Sequence, residues 1–166
     1  MPAKITVRDR GLTRIRKQLA QLGRMRILVG VIGPRAREIH TDTGETIGTI
    51  AKWLHYGTET QPARPYIDRA ISEMRGALGT EARRALQQIV GATYVDVATA
   101  MRPLAELMLD TVWHEFDTAQ SWAAPLAQRT IDAKGHSIPL IDTMTVRGAL
   151  SYAIVDGDEV LGTGGA

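Results

Sequence analysis

Three patterns in the 166-residue sequence predict an α+β fold: a small, mostly antiparallel sheet packed against one or two long helices, with long loops available for docking. The run Met25-Arg26-Ile27-Leu28-Val29-Gly30-Val31-Ile32 is rich in β-branched residues, too short for a typical helix, and bounded by Gly23 and Gly33-Pro34, so it reads as a central strand. Residues 66–90 and 95–116 carry apolar side chains at helical spacing and read as the long helices. Residues 148–155 alternate as a strand does, and the Asp156-Gly157-Asp158 turn leads into Val160-Leu161, which predicts a hairpin.

At the start, Ile5 and Val7 alternate within residues 4–8, as in a short half-buried strand, and Asp9 can cap the helix that follows. That helix spans residues 10–22. Leu12, Ile15, Leu19 and Leu22 form its apolar stripe, Arg10, Arg14, Arg16 and Lys17 cover other faces, and Gly23 stops it. After the first long strand the apolar pattern ceases, and residues 33–45 read as an extended loop. Thr46 can cap a helix through Tyr56 with Ile47, Ile50, Ala51 and Leu54 inward and Gly57 as its terminator.

Two prolines keep residues 58–65 out of a helix, and Pro65 is placed to begin the next one. Ile67, Ala70, Ile71, Met74, Leu78, Ala82, Leu86, Ile89 and Val90 form that helix's stripe, with bends expected at Gly76 and Gly79. In residues 95–116, Pro103 predicts a kink or a restart. Residues 117–125 read as loop, 126–134 as at most a short helix and 135–139 as a turn. The chain is expected to be one domain over residues 1–161, and the glycine-rich residues 162–166 a frayed tail.

The absence of cysteine excludes disulfides, thiolate metal sites and cysteine nucleophiles. No apolar run approaches the length of a membrane span and the first residues lack a signal peptide's apolar stretch, so a soluble, non-exported chain is expected. The net charge of +2 conceals a sorting along the chain. Residues 1–37 hold ten Lys and Arg against the single acid Asp9, whereas residues 38–166 hold ten bases against 17 acids. Such sorting attracts an opposite surface, which is nucleic acid or another copy of the chain.

The motifs of common chemistries are missing. Neither G-x-G-x-x-G nor the P-loop pattern occurs, so nucleotide cofactors are not expected. His114-Glu115 lacks the second histidine of a zincin helix, and Asp110 with His114, one turn apart, supplies only two ligands. Asp42-Thr43-Gly44 spells the aspartic-protease triplet but follows a polar segment, and Leu140-Ile141-Asp142-Thr143 is followed by Met144, not glycine. No nucleophile elbow is present. No enzyme, no metal and no cofactor is the resulting expectation.

Two surfaces remain as binding candidates. Arg10, Arg14, Arg16 and Lys17 of the first helix can lie along a phosphate backbone, or simply be the solvated face of an amphipathic helix. Trp53, Tyr56 and Tyr66 bracket the proline loop that carries Arg64, and these residue types are enriched at protein interfaces; the same aromatics can equally cover the core.

In order along the chain, Ile27-Leu28-Val29-Gly30-Val31-Ile32, then Ile50-Ala51-Lys52-Trp53-Leu54-His55-Tyr56-Gly57-Thr58, then Pro62-Ala63-Arg64-Pro65-Tyr66-Ile67 resemble the V-G strand, the I-A-x-x-x-E-[FY]-G-[ST] helix end and the A-R-P-[FY] turn of the tail-completion proteins of tailed bacteriophages. Pro125-Leu126-Ala127-Gln128-Arg129-Thr130, Lys134-Gly135, Pro139-Leu140-Ile141-Asp142-Thr143 and Leu150-Ser151-Tyr152-Ala153-Ile154 extend the resemblance over residues 26–155. Two positions depart from it: Met144 stands where the family usually has glycine, and His55 where it has an acid.

The resemblance implies a non-enzymatic structural protein of the virion neck, built in the host cytoplasm. It would form a closed ring of six or twelve copies that completes the tail and meets the head connector and tail-tube proteins. Trp53, Tyr56, Arg64, Pro65, Tyr66, Arg35 and Arg37 are the expected interface residues, and Arg10, Arg14, Arg16 and Lys17 the expected lining of a channel for passing DNA. The competing expectation is a small DNA-binding or regulatory protein acting through the basic first helix.

Overall fold

The computed structural model describes residues 10–91, 95–135, 137–140 and 145–165. The strand expected over residues 4–8, its cap Asp9 and the Asp142-Thr143-Met144 turn lie outside the described residues. The rest is α+β. In chain order it comprises α1 (Arg10–Leu22), β1 (Met25–Val31), a 3-10 turn (Pro34–Arg37), α2 (Ile47–Tyr56), α3 (Tyr66–Gly91) and α4 (Val97–Asp117). After these come the short helices α5 (Ala119–Trp122), α6 (Gln128–Lys134) and α7 (Thr145–Ala149), and the strands β2 (Leu150–Asp156) and β3 (Glu159–Gly165).

The sheet is antiparallel with order β1-β2-β3. Period-two alternation sends Met25, Ile27, Val29 and Val31 of β1 and Leu150, Tyr152 and Ile154 of β2 to the inner face, against the helices. α3 and α4 pack antiparallel behind it through Ala70, Met74, Ala105, Leu109 and Phe116, the alanines allowing close approach. Phe116 is fully buried and touches Tyr66 edge-on at a ring separation of 4.8 Å; each such side chain contributes about 1.5–3 kcal/mol by burial. Asp96 caps α4 by accepting from the Thr99 backbone N–H at 2.9 Å. Of the kink or restart expected at Pro103, the restart does not occur, because α4 continues through it as one helix. The ring is exposed, and Ala100, Leu104 and Ala105 on the other face hold the helix to the core. α3 is likewise continuous through Gly76 and Gly79.

Four further expectations need correction. In α1, Gln18 is the buried residue and donates to the Val95 carbonyl at 2.9 Å, while Leu12 and Leu19 are exposed. The helix docks by the face of Ile15, Gln18 and Leu22, which keeps Ile15 and Leu22 of the predicted stripe and leaves Leu12 and Leu19 to solvent. Residues 33–45, expected as a long loop, contain local structure: the 3-10 turn is followed by an Ile39–Thr46 bridge, with His40 N–H donating to the Glu45 carbonyl at 2.8 Å. Within residues 117–125 and 148–155, α5 and α7 take Ala119–Trp122 and Thr145–Ala149, so β2 begins only at Leu150.

The fourth correction concerns the expected frayed tail, because residues 162–165 belong to β3. Gly164 pairs with Tyr152, and a Cβ at Gly164 would lie 2.5 Å from the Tyr152 ring. Glycine there admits a buried tyrosine under an edge strand, which is a packing role and not a mark of disorder.

Candidate functional site

Arg64 is the residue whose environment departs furthest from its type. The Gly57 turn sets its position. Gly57, at φ 77°, leaves no room for a Cβ beside the Ala63 backbone, so the chain folds back tightly enough for Arg64 N–H to donate to the Leu54 carbonyl at 2.9 Å. Pro65 then opens α3, its carbonyl accepting from Arg69 N–H. The Arg64 side chain is directed inward and is 2% exposed. Its Nε–H donates to the Ala124 carbonyl at 3.1 Å, while its buried Nη1 has no partner among the described residues. Burial, unopposed by any carboxylate, pulls the guanidinium below its ordinary pKa.

Arg64 lines a cavity of about 370 Å³ between α2, residues 60–62, the chain leading into α6, and the start of α7. Ile50, Trp53, Leu54, Leu126, Leu140 and Val146 make its walls largely apolar, Arg129 adds a second positive charge, and no Asp or Glu lines it among the described residues.

The expected interface residues therefore divide. Trp53 and Tyr56 are exposed at the end of α2, and Arg37 is exposed after the 3-10 turn. Arg35 is half-buried, 3.5 Å from Glu38. Pro65 is half-buried at the start of α3. Tyr66 is a core residue, 2% exposed, with its hydroxyl donating to the Ala51 carbonyl at 3.3 Å, its ring against His55 and Phe116, and burial holding its phenol far above the ordinary value. It offers no face to a neighbour, and Arg64 reaches only the cavity. The stripe Tyr66-Ala70-Met74 was the sequence signal for the first correction; none marked the second.

On α1, Arg16 and Lys17 are exposed and Arg14 is half-buried; the Arg10 side chain lies outside the described set. The basic residues are thus spread around the helix instead of forming one stripe. His55, where the resemblance leads to an acid, is buried, and its Nε2 lies 3.5 Å from Asp68 of α3, so a carboxylate stands nearby from another element. Asp42 is exposed at a loop tip, and among the described residues no group of three or more His, Cys, Asp and Glu could hold a metal. No helix among the described residues is long and apolar enough to cross a membrane.

Sequence missed a second surface, the outer face of the sheet. Cross-strand register aligns Arg26, Val155 and Val160 in one row and Leu28, Ala153 and Thr163 in the next. Leu28 is 44% and Val160 58% exposed, on either side of the buried Ala153 and Val155. A groove of about 470 Å³ runs here, with Pro34 and Arg35 at one end. β1 and β3 each pair only with β2 among the described residues, leaving both edges open. Searches of protein families, of curated proteins and of solved structures return no match to this chain.

Proposed function

We propose that this chain is a structural subunit that packs head to tail with copies of itself into a closed ring, acting as a tail-completion component of a bacteriophage neck. The observation that carries the packing is the outer sheet face, where exposed Leu28 and Val160 flank an apolar floor on a sheet whose β1 and β3 pair on one side only among the described residues. A small apolar face of this kind is stabilised when another surface covers it. A ring interface is heterologous and closing, so each subunit offers one surface and receives a different one. The basic residues 1–37 and the acidic remainder supply opposite charges, which favour orientation and encounter rate more than affinity. The phage-neck assignment, with the head connector and tail-tube proteins as further partners, rests on the order of sequence motifs.

Sedimentation of the full chain tests the reading. Wild type is expected to form a discrete assembly of six or twelve copies, and Leu28→Asp to remain a folded monomer with unchanged thermal stability. A wild type that stays monomeric up to about 1 mM, which leaves any self-contact weaker than about 4 kcal/mol, overturns it. The regulatory alternative draws on Arg16 and Lys17, which are exposed on α1.

A further inference from the structure

The cavity beside α2 contains a buried charge that meets no carboxylate among the described residues. Buried guanidinium groups are ordinarily paired with carboxylates, because an isolated buried charge is costly. Among the described residues, Arg64 is 2% exposed, makes one side-chain hydrogen bond, to the Ala124 carbonyl, and keeps a buried Nη1 without a partner. The cavity it lines is of ligand size at about 370 Å³, carries Arg129 as a second cation, and has no carboxylate among its described lining residues. Trp53, Leu54 and Leu126 give it an apolar wall, and Thr60 and Thr130 add hydroxyls.

We propose that this cavity binds a carboxylate carried on an apolar body, with the Arg64 guanidinium holding the charge and the wall of Trp53, Leu54 and Leu126 holding the body. The planar fork of arginine suits two carboxylate oxygens. Phosphate fits less well, because its greater charge and hydration are poorly served by apolar walls. The carboxylate belongs either to a free organic acid or to a peptide segment. The site does not depend on ring formation, since it lies within one chain.

The test is a titration of the full chain with hexanoate, with neutral hexanamide and with inorganic phosphate. The readouts are thermal unfolding and the Trp53 indole N–H resonance, assigned through Trp53→Phe. Hexanoate is expected to shift the Trp53 signal and raise the melting temperature, hexanamide and phosphate to do neither, and Arg64→Met to bind hexanoate roughly tenfold to a hundredfold more weakly while folding normally. An N-acetylated Leu-Leu dipeptide that outbinds hexanoate, and loses that advantage when its carboxylate is amidated, assigns the site to peptide; the reverse ranking assigns it to free acids. Equal responses to hexanoate and hexanamide, or an unaltered response in Arg64→Met, overturn the proposal. So does a response that arises only in Asp142→Asn, which would show that the chain's own carboxylate already occupies Arg64.

Discussion

Replacing Arg64 by methionine is predicted to stabilise the free protein. The side chain is 2% exposed and unpaired at Nη1 among the described residues, and an unsatisfied buried donor costs about 1–3 kcal/mol, more when charged. Methionine occupies much of the same volume without that donor or the charge. Against this stands the lost Nε–H bond to the Ala124 carbonyl, worth about 1 kcal/mol. The net gain is about 1–2 kcal/mol, in line with the stabilisation seen when buried ionic groups elsewhere are replaced by apolar ones. At about 2–4 °C per kcal/mol for a chain of this size, the melting temperature rises by about 2–8 °C. The assay is thermal unfolding by circular dichroism in a carboxylate-free buffer at neutral pH. A fall in melting temperature would refute the reasoning, because it would show that Arg64 is an anchor of the fold and not an unused charge. Binding groups that cost stability are kept for what they bind.

Three further outcomes are expected. Glu115 is fully buried against Arg69, whose Nε–H donates to it at 2.9 Å; burial raises the carboxyl above its ordinary 4.5, and the Arg69 bond opposes that only in part. A raised pKa means stability fully present below 4.5 and lost as pH rises through the folded-state value, so the melting temperature of Glu115→Gln relative to wild type should climb from pH 4 to pH 7; a difference independent of pH contradicts this. Gly164→Val drives a Cβ into the Tyr152 ring and should cost about 1–3 kcal/mol in chemical denaturation, with partial rescue by Tyr152→Leu; no loss would mean that β3 does not pack as described. Duplex DNA should bind weakly and with a steep salt dependence that Arg16→Glu with Lys17→Glu flattens, whereas sub-micromolar, sequence-selective binding would favour the regulatory reading.

The fold was legible wherever periodicity was strong. The β-branched run became β1, the stripes of residues 66–90 and 95–116 became α3 and α4, and the Asp-Gly-Asp turn joins β2 to β3. Errors arose where tertiary contacts overrode local pattern. Gln18 is buried where its amide N–H can donate to the Val95 carbonyl, and the terminal glycines form a strand because Tyr152 lies against them. The site was half legible. Residues 53–66 were singled out from composition, but Trp53 and Tyr56 face solvent while Arg64 and Tyr66 are buried, a division that depends on the Gly57 turn and on how α3 meets α4. Nothing in the neighbouring residues marks Arg64 as buried, since its burial comes from Ala124 and the wall beyond it, 60 positions along the chain.

Cryo-electron microscopy of the purified full chain, with top views sorted by rotational symmetry, bears on whether these surfaces build a ring. Rings of six or twelve subunits with density of a neighbour over Leu28 and Val160 are predicted. Isolated particles, or rings in which those two side chains remain open to solvent, would contradict the proposed packing.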